Sequence, residues 1–299
     1  MPLGDLSVTM ILILGASSFI GRHLFGAFGP SRAIGTYCGR PVAGGRYFDA
    51  TRMRVADVLP REAAVSHAVL CFAEPKIDAC KADRQRSEAL NVRAAIAAID
   101  GLLDRGVTPV FLSTEYVFDG TRGGYTEEDP PNPTTVYGGQ KLEVERYLAR
   151  RTAGFVVLRL AKVFSADPED ATILSEWFRQ LRNGETIHAA ADQVFSPIEV
   201  RDVVAAVEAV IRLRLRGTFH VATPEAWSRL AMLRLLMECS GMEGRVIPCR
   251  LEDLRFLDHR PRDLSLDPGK LLRATGVTFR DVRSGCAAFA QRALALSHR

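Results

Sequence analysis

The stretch "MILILGASSFIGRHLFGAF", residues 10–28, decides how the chain folds. Its first five residues are all apolar, as a strand buried on both faces of a parallel sheet must be. The last ten carry apolar residues at helical spacing. Between them, Gly15 and Gly21 take the first and last positions of a G-x-x-G-x-x-G loop, with Ser18 where a middle glycine is usual. Glycine there lets the backbone turn tightly and approach a pyrophosphate, whose charge the N-terminus of the next helix stabilises. A strand, glycine turn and helix is common by itself, so its meaning depends on the rest of the chain.

Beyond residue 28 strands and helices alternate. Short apolar strands read at "AIGTYC", "RYFD", "SHAVLCFA" and "PVFLST", with a helix through "SEALNVRAAIAAIDGLLDRG" closed at Gly106. A loop dense in Gly, Pro and acids, "EYVFDGTRGGYTEEDPPNP", leads into a helix at "VYGGQKLEVERYL" and then the strand "FVVLRLAKVF". This order predicts an α/β fold, a doubly wound parallel Rossmann-type sheet with a smaller C-terminal α/β substrate lobe. The expected division is 1–165 for the dinucleotide domain and 166–299 for the lobe, with an approximate boundary open to interleaving.

The bulk properties agree with a globular protein: 299 residues, 47% hydrophobic and 25% charged. The net charge of +4 comes from 39 Lys and Arg against 35 Asp and Glu. No basic block stands out, which argues against nucleic acid and leaves room for an anionic small molecule. The six cysteines are scattered, without C-x-x-C pairs or histidines at ligand spacing, so free thiols and no metal are expected. The N-terminal apolar run is too short for a membrane span and reads as part of the first strand. A cytoplasmic location, with no membrane partner, is the expectation.

An acid at the end of the second strand would bind the ribose hydroxyls of NAD. Here "TYCGRP" has none, and Arg40 is available for a 2′-phosphate, so NADP(H) is favoured over NAD(H); a solvated loop role for Arg40 stays open. Asp49 is placed to accept from an adenine amine or to cap the segment that starts at Thr51. The candidate cofactor contacts are Gly15, Ser17, Ser18, Phe19, Ile20, Gly21, Arg40, Asp49 and Ala73, with Tyr137 and Lys141.

Tyr137 and Lys141 are four residues apart and share one helix face. The spacing alone is common. Together with the nucleotide loop and with Ser113-Thr114 at the end of a central strand, it resembles the extended short-chain dehydrogenase/reductases. More narrowly, "LSTEYVFDG", "VYGGQKLEVE", "DQVFSPIEVRDVV" and "RPRDLSLDPGKL" resemble the dTDP-4-dehydrorhamnose reductase branch, in consistent order along almost the whole chain. The resemblance implies that Thr114 binds a carbonyl oxygen, Tyr137 supplies the proton, and Lys141 anchors the ribose. A cation beside a phenol favours the phenolate, so Lys141 is expected to lower the Tyr137 pKa. Asn91 matches an asparagine that supports the site in the wider superfamily.

The departures carry information too. Glu115 stands where an aspartate is usual, and Lys162, in "LRLAKVFS", replaces a tryptophan expected to line the sugar pocket. A basic residue there suggests a more polar or anionic substrate group, or a pocket used differently. Glu115, Tyr116, Lys162 and Arg262 are the candidate substrate contacts, and the resemblance places Arg260 and Arg262 near a nucleotide diphosphate. Tyr116 breaks the Asp-Glu pair that sugar dehydratases need. A 4-epimerase stays open, as does a non-catalytic regulator like the regulatory subunit of methionine adenosyltransferase. The resemblance also implies a homodimer. His220 reads as a hydrogen-bonded core histidine.

Overall fold

The computed structural model describes residues 10–60 and 64–297. Residues 1–9, which by sequence lead into the first strand, lie outside that range. The chain opens with β1 (Met10–Leu14), α1 (Phe19–Phe28), β2 (Ala33–Tyr37), β3 (Arg46–Tyr47) and β4 (Val65–Leu70). The short helices α2 (Ile77–Ala82) and α3 (Arg84–Glu88) come next, then α4 (Ala95–Leu103), β5 (Thr108–Thr114), α5 (Val136–Arg151) and β6 (Val156–Leu160). Later, β11 (Gly217–Val221) completes a seven-stranded sheet of order β11-β6-β5-β4-β1-β2-β3, and every paired neighbour is parallel.

The all-apolar first strand is explained by where it sits. Leu12, Ile13 and Leu14 have no solvent-accessible surface, because β1 lies between β4 and β2 with helices on both faces. Ile11 and Ile13 pack with α1, and Leu12 and Leu14 with α4. Alternate side chains thus feed two separate cores, which is why neither position parity tolerates a polar residue.

Two elements depart from the sequence reading. "SHAVLCFA" leaves the sheet at Leu70, so Cys71, Phe72 and Ala73 run on as loop. The helix expected through residues 87–106 is divided: a π-helical turn, Ala89–Ala94, separates α3 from α4. Asn91 lies in that widened turn. Gly106, at φ +68°, closes the segment in a backbone region that favours glycine.

Beyond β6 the strand read as "FVVLRLAKVF" breaks at Ala161-Lys162, and β7 (Val163–Phe164) pairs instead with β10 (Ile198–Glu199). β8 (Ile187–Ala190) pairs with β13 (Val246–Cys249), and β9 (Val194–Phe195) with β12 (Trp227–Ser228). These short pairs, with α6 (Ile173–Arg182), α8 (Arg229–Ser240) and α10 (Val282–Ser297), enclose a separate core around Trp177, Phe178 and Phe289. The chain does not pass into this lobe once. It returns for α7 (Val200–Arg212), whose Val203, Ala206, Val207 and Val210 share a core with Leu24 and Phe28 of α1, and for β11. The helix α9 (Gly269–Thr275) adds Leu271 to that core.

Candidate active site

The nucleotide loop is shaped by contacts only glycine permits. Gly15 has φ +92°, and a Cβ there would lie 3.0 Å from the Phe72 backbone nitrogen. On Gly21 a Cβ would fall 2.1 Å from the Gly15 carbonyl oxygen. Gly21 therefore lets α1 start directly against the turn. Ser18 caps that helix, its Oγ accepting from the Gly21 N–H at 3.1 Å. No acid occupies the first turn of α1. A glycine-lined turn under an unopposed helix N-terminus fits a dinucleotide phosphate. Thr36, which the sequence did not single out, pins the turn by accepting the Gly15 N–H at 2.9 Å.

Around the loop, Ser17 and Phe19 are half-buried, Ile20 packs on the core below, and Ala73 follows the C-terminal end of β4. Arg40 is exposed just beyond β2. Asp49 caps no helix, since residues 50–53 form a turn; its Oδ1 accepts from the Thr51 N–H at 2.9 Å and the Thr51 hydroxyl at 2.6 Å. These bonds hold its carboxyl below the usual carboxylate range.

Tyr137 and Lys141 owe their position to the start of α5. Thr135 caps it, accepting from the Gly138 N–H at 3.0 Å, so Tyr137 falls in the first turn. Gly138 permits the approach of the Tyr116 segment, since a Cβ there would lie 2.0 Å from the Tyr116 carbonyl oxygen. That segment begins at Thr114, whose side chain favours the Tyr137 phenolate against the effect of burial. The Tyr116 ring meets the Tyr137 ring edge-on at 6.4 Å. The structure thus brings Thr114, Tyr137 and Lys141 together at the C-terminal end of β5.

The expected electrostatic effect is not what the geometry gives. Burial first, then the Cys80 thiol, pushes the phenol up. The Lys141 Nζ donates to the Leu112 carbonyl at 2.8 Å and lies 5.8 Å from the centroid of the Tyr137 ring. Burial lowers Lys141 itself to about 8. Desolvation of a half-buried phenol outweighs a cation committed to a carbonyl.

Two buried networks hold this helix face. Asn91 accepts from the Glu74 N–H at 2.8 Å and donates to the Glu74 carbonyl at 3.1 Å and to Gln140 Oε1 at 2.8 Å. It ties the loop after β4 to α5. On the other side, Glu145 accepts from the Ser113 hydroxyl and pairs with Arg159 at 2.7 Å, both side chains 6% exposed. Arg159 reaches His220 at 3.5 Å, and burial lowers His220 to about 3, which makes it a neutral core histidine.

A cavity of about 1100 Å³ opens beside Phe19 between the sheet and the lobe, walled by Lys76, Lys162, Arg229 and the start of α6. A pocket of about 30 Å³, walled by Glu115, Tyr116, Lys162 and Arg229, lies on the same two cations. Neither Tyr137 nor Thr114 lines the larger cavity. Glu115 is 4% exposed, and burial raises its pKa while Lys162 opposes the rise. Arg229 was not visible as a candidate, because only tertiary folding carries the start of α8 to β6. Arg262 is not brought there: its guanidinium is shared between Glu252 at 3.3 Å and Asp192 at 3.7 Å, in a separate hollow. Arg260, held by Asp78 at 2.9 Å, has the stronger electrostatic effect on Tyr116 and Lys162.

This arrangement has known counterparts. Residues 9–295 match the family described as RmlD substrate binding domain. The chain belongs to this family. It lies in the dTDP-4-dehydrorhamnose reductase branch of the extended short-chain dehydrogenase/reductases. It is 30% identical over 221 residues to the "Probable low-salt glycan biosynthesis reductase Agl14" of Haloferax volcanii, covering 72% of this chain and 73% of that one. It is 24% identical to the methionine adenosyltransferase 2 subunit beta of Rattus norvegicus, over 87% and 81% of the two chains. A crystal structure of a "hypothetical dTDP-4-dehydrorhamnose reductase" from Sulfolobus tokodaii superposes with TM-score 0.83 at 26% identity, covering 92% of this family member and 98% of that chain. Among the described residues no helix is long and apolar enough to cross a membrane.

Proposed function

We propose that the protein is an NADPH-dependent reductase of a nucleotide-linked 4-keto-sugar, most simply dTDP-4-dehydrorhamnose reduced to dTDP-L-rhamnose. The observation that carries this reading is the Thr114–Tyr137–Lys141 constellation beside a glycine-lined helix N-terminus. NADPH, when bound, supplies the hydride. Gly15 through Gly21 hold its pyrophosphate and Arg40 its 2′-phosphate. Thr114 orients the ketone oxygen, and Tyr137 delivers the proton to it as the carbon is reduced. Lys141, one turn along the helix, stabilises the phenolate left behind. A related structure bound to NADP supports the choice of cofactor, and two others, bound to UDP-glucuronic acid or UDP-glucose together with NAD, support the substrate class.

The experiment is direct. Purified protein oxidises NADPH when given the ketosugar, and Tyr137→Phe abolishes turnover while NADPH still binds. Undiminished turnover in that variant sinks the assignment.

A second reading is a non-catalytic NADP-binding regulatory subunit, favoured by the similarity to methionine adenosyltransferase 2 subunit beta over 87% of the chain. It predicts co-purification with a larger catalytic partner and no NADPH oxidation across a panel of nucleotide ketosugars. The homodimer that the resemblance implies is a further proposal, tested by light scattering.

A further inference from the structure

Lys162 and Arg229 are the two cations shared by the large cavity and the small pocket. Among the described residues neither forms an ion pair within 4 Å, whereas Arg260 is held by Asp78 and Arg262 by Glu252. Both cations line the 1100 Å³ cavity and the small pocket below it. Arg229 is half-buried, its guanidinium 5.4 Å from the Trp177 ring centroid, so it is not a freely solvated surface charge. The one carboxylate that acts on both, Glu176, does so only through space. Beside them Glu115 keeps Oε2 buried with no hydrogen-bond partner. Lys162 is exposed to the cleft, whereas a half-buried guanidinium and an orphaned carboxyl oxygen are costly to maintain without a ligand to complete them.

Their position separates two anions that a nucleotide sugar could offer. In the β5/β6 register Thr114 is opposite Leu160, so Lys162, two residues on, stands beside Glu115 in the wall of the small pocket. Tyr116, whose ring meets Tyr137, lines the small pocket with both cations, so the positive charge lies one aromatic ring away from Tyr137. A diphosphate on the anomeric carbon would lie across the sugar ring from a carbon reacting at C4. We propose that the cleft takes a nucleotide-linked hexuronic acid or its keto form, whose sugar carboxylate is bound by Lys162 and Arg229, with Glu115 meeting a ring hydroxyl. This rests on the nucleotide-sugar reading above and replaces its simplest substrate, a 6-deoxy sugar without a carboxylate, with a uronic acid.

The test is the affinity of NADP⁺-loaded protein for matched pairs: UDP-glucose against UDP-glucuronate, and the corresponding dTDP pair, by calorimetry. The uronate of the accepted nucleotide is expected to bind roughly tenfold more tightly, the scale of one charge-assisted contact. Lys162→Met weakens the uronate more than the hexose and so removes that advantage, and Arg229→Gln acts in the same direction. The preference of the unmodified protein is informative even if a variant does not fold. Equal affinity for hexose and uronate overturns the proposal and leaves the reductase reading intact. Equal weakening of both in Lys162→Met assigns the cations to the diphosphate and also overturns it. Failure of every nucleotide sugar to bind removes the reductase reading, and this inference with it.

Discussion

The face of α5 and the wall of the cleft are both clusters of charged and polar side chains, but they are assembled in different ways. Tyr137, Lys141 and Glu145 recur every four residues on one helix, so their neighbourhood follows from the helical repeat. Lys162, Glu115 and Arg229 come from the loops after β6 and β5 and from the first residue of α8. The first group is internally satisfied: Lys141 on Leu112, and Glu145 on Ser113 and Arg159. In the second, both cations lack an ion pair among the described residues and Glu115 keeps an unpartnered oxygen. A satisfied cluster positions; an unsatisfied one awaits a ligand.

Substitutions can break that contrast. Tyr137→Phe is expected to have the largest effect, lowering NADPH-dependent turnover by about 10²–10⁴-fold, the usual worth of a positioned proton donor. The readout is steady-state absorbance at saturating cofactor. Arg159→Met strands the Glu145 carboxylate in the core and should cost about 3–5 kcal/mol of stability, measured by urea unfolding. If α5 is less tightly satisfied than described, the loss will be under 1 kcal/mol, as for an exposed pair.

Gly21→Ala forces a Cβ onto the Gly15 carbonyl and should cost about 1–3 kcal/mol, as overpacking does. NADPH affinity should fall with it, since the same contact shapes the loop.

Lys141 provides the pH test. Its folded value, about 8, lies below its ordinary 10.5, so between these values the unfolded chain holds a proton that the folded chain has lost. Stability relative to Lys141→Met therefore rises as pH increases from about 8 to 10.5, by about 1.4 kcal/mol per unit of displacement. Below about 8 both states are protonated and the difference is flat. Turnover runs the other way, falling as pH passes 8 and the cation beside Tyr137 is lost. The smallest effect is expected where the comparison is sharpest: Lys162→Met should leave hexose binding within a factor of about two while removing the uronate preference, because an unpaired cation contributes little in the absence of its anion.

Some of this was readable in residue order. The strand, glycine turn and helix at residues 10–28 are set by nearest neighbours, and the Gly15–Gly21 contact spans a single turn. The Tyr137 to Lys141 spacing is likewise local. Thr36, Gly138 and Arg229 were not visible, because each acts on a partner far along the chain: Gly15, the Tyr116 carbonyl, and Lys162 with Glu115. Arg262 shows the same limit from the other side. Its motif suggested a phosphate ligand, and the fold gave it Glu252 and Asp192 instead.

By itself, then, the sequence determined the parallel α/β architecture, the nucleotide loop and the shared face of Tyr137 and Lys141. Each follows from backbone sterics and periodicity over a few residues. Only the tertiary structure decided which charges meet, that burial raises the Tyr137 phenol instead of Lys141 lowering it, and that Lys162 and Arg229 line the cleft with no ion pair within 4 Å among the described residues. Charge energies depend on distance and desolvation, and both are properties of the folded packing.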